Sequence, residues 1–267
     1  MISIIKGNIF TTDCQTIVNT VNCVGVMGAG IAFEFRLRYP AMYHRYLELC
    51  NDKKIDIGTL WIYKGENKWV LNFPTKYHWR YESKIEYLEK GLQKFIDTYL
   101  AKGITSVAFP LLGASNGGIP EEVSLNLMKK YLEKCDIDVQ IYYFDPNSYD
   151  DLYLKFKKLW TEISESELKK ELKELKEREN YQLKSKLEEL LKNGQNNHKR
   201  EILNIEEKLK EKVVSVSVIK KALNNENIRS LSGLLRENGV GDKTIEKAFQ
   251  FINNYKKCEQ NSIDFDE

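Results

Sequence analysis

Short apolar runs and longer helical patterns take turns along the first 145 residues. β-Branched and aromatic runs predict strands at residues 1–6, around Ile17, Val18 and Val21, and at 59–63, 69–73, 106–110 and 139–144. Between them, helical spacing predicts helices over 31–38 and 41–51, divided at Pro40 because the residue before a proline disfavours the helical conformation. A further helix carries apolar residues at Ile85, Leu88, Leu92, Phe95, Ile96 and Tyr99. Gly103 ends it, and Ser83 with Glu86 is expected to form its capping box. Pro120 and Glu121 open another helix, running to about residue 133. Strands alternating with helices in this way predict a three-layer α/β domain.

After Pro146 the pattern changes. Residues 159–212 are rich in Lys, Glu and Leu, with apolar positions at Leu168, Leu172 and Leu175, then Leu183, Leu187 and Leu190, and, past a polar break at 193–197, Ile202, Ile205 and Leu209. This predicts an antiparallel helical hairpin over 151–212, its charges forming solvated faces with i,i+4 pairs. Residues 213–260 read as a smaller helical unit and 261–267 as a frayed acidic tail. The turn Gly239-Val240-Gly241-Asp242-Lys243-Thr244 resembles a helix-hairpin-helix turn, which grips DNA phosphate through backbone amides.

Two strand-to-helix junctions are glycine-rich. The first, residues 18–32, passes through Gly25, Gly28 and Gly30, and the second runs from Leu111 to Ile119. Glycine lets backbone approach a ligand closely, and the free amides of a first helical turn favour an anion. No Lys-Ser or Lys-Thr follows the glycines, so the first loop is not a Walker A, and its G-x-x-G-x-G order is not a dinucleotide fingerprint. On the glycines alone, a tight αβ turn that binds nothing competes with phosphate binding. Both loops are expected at one edge of the sheet, where open α/β sheets bind ligands.

Composition narrows the classes. The chain has 267 residues, long enough for two domains, with 41 basic and 39 acidic side chains. Such balance excludes a broad nucleic-acid footprint and leaves local, substrate-like contact. Five scattered cysteines without a C-x-x-C pair suggest reduced thiols in a cytoplasmic protein, and three histidines without ligand spacing argue against a metal. No apolar run is long enough to span a membrane, and no cofactor is expected.

The segments K-G-N-I-F, V-N-C-V-G-V-M-G-A-G-I-A, F-P-T-K-x-H-W-R and P-L-L-G-A-S-N-G-G-I-P, taken together, resemble the macrodomain family, an α/β/α fold with a mixed central sheet that binds ADP-ribose. The F-P-T-K-x-H-W-R segment is similar to the subgroup of DarG-type DNA ADP-ribosyl glycohydrolases, the antitoxins of DarT toxins, and of the terminal ADP-ribose protein glycohydrolases. The resemblance spans residues 1–150 and implies a first loop of Gly25, Val26, Met27, Gly28, Ala29, Gly30 and Ile31 around the distal ribose and diphosphate. It implies a second loop of Gly113, Ala114, Ser115, Asn116, Gly117, Gly118 and Ile119 whose amides hold the phosphates, with Thr75 beside them. Asn8 and Ile9 would line the adenine pocket, with Phe144 as its stacking aromatic. Many macrodomains have Asp where Asn8 stands, and an amide oxygen accepts without charge assistance.

The resemblance makes Lys76 the catalytic lysine and Asn22 the residue that orients the distal ribose. An amine attacking the anomeric carbon must be neutral, so Lys76 is expected to be desolvated with a lowered pKa. Asn22 has a second reading, as an amide that caps the loop backbone. His78, Trp79 and Arg80 follow at the cleft mouth, where Trp79 would either stack on a base of substrate DNA or pack under the next helix, and Arg80 would meet a phosphate. The protein-directed relatives carry an acidic residue in the second loop; Ser115-Asn116-Gly117-Gly118 has none, which favours the DNA-directed branch and leaves the proton donor open.

The implied function is removal of ADP-ribose from thymidine in single-stranded DNA, as antitoxin to a DarT-like toxin, with the C-terminal helices either sequestering the toxin or holding an oligomer together. A non-enzymatic ADP-ribose reader is the competing reading from another class. Hydrolysis of small ADP-ribose derivatives, or of mono-ADP-ribosylated protein, is a third.

Overall fold

In the computed structural model, residues 1–192, 215–235, 237–241 and 243–249 are described, with the single positions 203, 205, 206 and 209. The chain divides into two compact units, Met1–Asp150 and Asp151–Glu267.

The first unit is built on six strands: β1 (Ile2–Gly7), β2 (Thr16–Asn22), β3 (Trp61–Lys64), β4 (Trp69–Lys76), β5 (Ser106–Pro110) and β6 (Asp138–Phe144). Their order is β1-β6-β5-β2-β4-β3. Neighbours pair in parallel except β3, which runs antiparallel to β4. Four helices cover the faces: α1 (Gly30–Arg38), α2 (Pro40–Asn51), α3 (Ile85–Thr98) and α4 (Glu121–Leu132). Because side chains alternate across a strand, the sheet builds two cores. Ile17, Val21 and Val70 meet Phe35, Met42 and Tyr46 on the α1/α2 face. Val18, Leu71 and Phe109 meet Leu88, Phe95 and Met128 on the other. This is the three-layer, mixed-sheet fold expected.

Pro40 divides the first helices by serving as the first residue of α2, where its missing N–H costs no helical bond. Two expectations are corrected. The strand expected at 69–73 runs on through residues 74–76 to Lys76. β3 pairs with β4 only as far as Asn72, so Pro74 lies where one flank of β4 is unpaired and a missing N–H is tolerated. Ser83 does not cap α3. Lys84 is the N-cap residue, with no side-chain bond, and the buried Ser83 hydroxyl points at the second glycine loop.

In the second unit, α5 (Asp151–Glu162), α6 (Glu165–Lys192), α7 (Val216–Leu223) and α8 (Leu231–Leu234) are followed by helical residues 243–249. Phe156, Trp160 and Phe249 stack in its interior, and the Tyr153 hydroxyl donates to the Ile228 carbonyl at 2.8 Å. Gly239 takes a φ of +84° with Val240 buried behind it. The polar break at 193–197, most of the second hairpin arm and the acidic tail lie outside the described residues.

Candidate active site

β2, β4, β5 and β6 run parallel, so their C-terminal ends gather at one edge of the sheet, and both glycine loops leave from it. Asn22, the last residue of β2, organises the first loop. Its Oδ1 accepts from the amides of Val24 (3.0 Å) and Val26 (3.2 Å), and its Nδ2 donates to the Val26 carbonyl at 2.5 Å. Buried Tyr46 of α2 donates its hydroxyl to the Asn22 carbonyl at 2.5 Å. Asn22 therefore caps the loop, with one Nδ2 hydrogen left over. The sequence reading gave no role to Tyr46, because helical spacing marks it only as core.

The loop closes on α1, whose N-cap Ala29 makes no side-chain bond and whose first turn carries no acid. Its first amides are thus open to an anion, with the helix dipole behind them. Val24, Val26, Ala29 and Gly30 are exposed at the rim, Gly28 and Ile31 are half-buried, and Gly25 is buried against Leu47 of α2. Met27 departs from the expected role: its side chain is fully buried, with its sulfur 3.8 Å from Asn19 Nδ2. Ile9 and Ile119 likewise sit in the two cores. What these three can offer a ligand is backbone.

The second loop folds on itself. The amides of Ala114, Gly117, Gly118 and Ile119 donate to the carbonyls of Leu111, Ala114, Ser115 and Gly113. That corrects the expectation that the whole loop presents its amides, and it leaves those of Gly113, Ser115 and Asn116. Ser115 takes a left-handed φ of +50°, uncommon for a residue with a side chain. The two loops meet: a Cβ on Gly30 would lie 3.0 Å from the Asn116 Nδ2.

Lys76 reaches this meeting point through an irregularity. Val21 pairs with Pro74 but Asn22 with Lys76, so Thr75 is an extra residue, and such a bulge redirects the side chains that follow. Thr75 is buried, whereas Lys76 is half-buried and donates its Nζ to the Asn116 carbonyl. Burial draws the Lys76 amine below its ordinary pKa, and the charge of Glu82 pulls it partly back. Both loops also hold the turn that follows. The Cys23 amide donates to the Tyr77 carbonyl at 3.1 Å, and the Ser83 amide to the Gly117 carbonyl at 2.9 Å. Between these anchors, Tyr77, Trp79 and Tyr81 are 57%, 46% and 68% exposed. His78 stacks on Trp79 with ring centroids 5.6 Å apart, and the Arg80 guanidinium lies 4.7 Å over the indole. Trp79 is therefore a presented ring and not packing beneath α3.

At the β1/β6 end, Asn8 is buried. Its Oδ1 accepts from the Phe10 amide at 3.0 Å and its Nδ2 donates to the Tyr149 carbonyl at 3.1 Å, leaving one lone pair and one hydrogen for a ligand. Phe144 ends β6 beside Gly7 and is 59% exposed. Among the described residues no cluster of His, Cys, Asp or Glu is placed to hold a metal, and no helix is long and apolar enough to cross a membrane.

The family model for the Macro domain matches residues 18–128, which span both loops and Lys76. The solved macrodomain of Thermus aquaticus DarG is 34% identical, with a TM-score of 0.51, and the match covers 98% of that chain and 54% of this one. The chain belongs to the macrodomain family. A Mycobacterium tuberculosis macrodomain relative, a DNA ADP-ribosyl glycohydrolase, is 40% identical over 147 residues, 53% of this chain and 42% of its own length. The Thermosipho africanus macrodomain relative, a DNA ADP-ribosyl transferase-DNA ADP-ribosyl glycohydrolase fusion, is 34% identical over 160 residues and 41% of its length, and its DarTG structure was solved in complex with ADP-ribose. The present macrodomain thus matches less than half the length of these curated relatives.

Proposed function

We propose that this protein is a DNA ADP-ribosyl glycohydrolase that releases ADP-ribose from thymidine in single-stranded DNA, with Lys76 as nucleophile. The carrying observation is the position of Lys76: drawn below its ordinary pKa by burial, at the junction of the two glycine loops, bonded to a loop carbonyl. An amine with that environment has a larger neutral fraction at working pH than a solvated lysine, and the neutral amine is what attacks an anomeric carbon. The diphosphate would lie between the first turn of α1 and the amides of Ser115 and Asn116. The adenine would reach toward Asn8 and Phe144, and the remaining Nδ2 hydrogen of Asn22 would meet the distal ribose. The strand bearing the modified base would cross the exposed rings, stacking on Trp79 beside His78, with Arg80 toward a phosphate. The glycohydrolase names of the relatives support this reading, and the transferase fused to one of them supports a toxin-antitoxin pairing in which the second unit holds a DarT-like toxin.

The test is ADP-ribose release from a thymidine-ADP-ribosylated single-stranded oligonucleotide. Lys76→Ala is expected to lose turnover by at least 100-fold while ADP-ribose affinity stays within roughly threefold of wild type. Binding without release in the wild-type protein would leave a reader module in place of an enzyme.

A further inference from the structure

Resting on the glycohydrolase reading, one chemical requirement is still unmet. When Lys76 attacks, the new Nζ–C1″ bond makes the nitrogen cationic, and the departing base nitrogen takes the electron pair of the broken C–N bond. One proton must leave the first nitrogen and one must reach the second. The second loop, residues 113–119, contains no carboxylic acid.

The chain supplies one from the aromatic turn. A Cβ on Gly118 would lie 3.2 Å from Glu82 Cδ and 3.3 Å from its Oε1, so the Glu82 carboxyl group rests against a loop residue that carries no side chain. Gly118 holds a φ of +80°, which disfavours any other residue there. Two residues before it, the Asn116 carbonyl holds Lys76 Nζ. The next residue after Glu82 is tied down, since the Ser83 amide donates to the Gly117 carbonyl. Glu82 is also exposed, so its carboxyl group exchanges protons with water.

We infer that Glu82 is the proton carrier for Lys76, standing over the second loop where the loop itself has no acid. In the first step its carboxylate takes a proton from the alkylated Nζ and delivers it to the base nitrogen. The base leaves neutral and the Nζ–C1″ adduct remains. In the second step water attacks C1″ and the C1″–Nζ bond breaks with its electrons on nitrogen. Glu82 takes the water proton and returns it to Nζ, which restores the amine and the carboxylate. The sum is water plus ADP-ribosyl-base giving ADP-ribose plus base.

The opposing account is that Glu82 is merely a nearby negative charge, and the two differ in sign. A charge that keeps Lys76 protonated inhibits it, so removal would speed the reaction on the acidic side of the pH profile. Glu82→Gln and Glu82→Asp in the full chain, with single-turnover release measured across pH and ADP-ribose affinity measured by calorimetry, separate them. As proton carrier, Glu82→Gln is expected to slow release about 100-fold at every pH, the ordinary scale of acid–base catalysis, with affinity nearly unchanged and partial recovery in Glu82→Asp. Release that is unchanged, or faster at low pH, in Glu82→Gln overturns the proton-carrier role while the glycohydrolase reading stands. If the wild-type protein releases no ADP-ribose, both fall together.

Discussion

Burial acts on Lys76 and on the thiols of Cys23 and Cys135 for one reason: low-dielectric surroundings favour whichever form is uncharged. For the amine this means a lowered pKa, for the thiols a raised one. The Cys23 thiol is pushed up to about 12, by burial first and then by Asp56 and Cys50, and the Cys135 thiol to about 11, again mainly by burial. Below about pH 9, the ordinary thiol value, both are protonated in folded and unfolded chains alike and pH has no leverage through them. Above it the unfolded chain releases protons that the folded chain keeps, so stability falls as pH rises toward 11 and 12. The urea midpoint is expected to be lower at pH 10 than at pH 8. Iodoacetamide at pH 8 should modify Cys23 and Cys135 far more slowly in the native protein than in urea, as read by peptide mapping. Equal labelling rates in the two states would show that these thiols are not shielded. At this scale the place of Lys76 beside the second glycine loop was legible, because its motif points to it. Asn22 and Asn8 were half legible, since an amide that caps a turn and one that meets a ligand have the same sequence appearance. Glu82 was not legible: its partner Gly118 is 36 residues away in the chain, and no local pattern marks it.

At the scale of elements, α3 lies very close to β4. A Cβ on Gly91, in the buried face of α3, would lie only 2.2 Å from Phe73 Cζ, so the absence of a side chain is what lets the helix approach the sheet. Phe73 in turn begins the stretch that carries Lys76 to the cleft. Gly91→Ala would gain helix propensity of roughly 1 kcal/mol, yet overpacking a core costs about 1–3 kcal/mol, and here the clash is with a rigid ring and not a flexible chain end. A net loss of stability is expected, seen as a melting temperature several degrees lower. ADP-ribose release should weaken with it, because the ring can retreat only by moving β4. A variant as stable as wild type would mean that the helix shifts freely. Most elements could be read from period and breakers, as with residues 106–110 and the division at Pro40. The end of β4 could not, because Pro74 is compatible with a strand only once it is known that β3 has already stopped pairing. The Ser83 cap failed for a similar reason: the Ser83 amide is held by the Gly117 carbonyl, which ties the residue to the second loop, and a local rule cannot weigh a partner 34 residues distant.

At the scale of the whole molecule, the two units divide at Asp150, and each has its own interior. Every residue assigned here to ligand, lysine chemistry or strand contact belongs to Met1–Asp150, including the Tyr149 carbonyl that holds Asn8. That unit carries 17 basic and 17 acidic side chains, so it has no net charge with which to gather DNA. On the proposed function, its hold on a modified strand would have to come from the ADP-ribose itself and from the presented rings. The second unit stacks Phe156, Trp160 and Phe249 in an interior of its own. Residues 1–150 expressed alone are therefore expected to melt cooperatively and to release ADP-ribose from modified single-stranded DNA at a rate within about threefold of the full chain. The same fragment should fail to co-purify with a co-expressed DarT-like toxin that the full chain retains. Loss of release in the fragment would mean that the helical unit completes the active site. Retention of the toxin by residues 1–150 would move the toxin-binding surface onto the macrodomain.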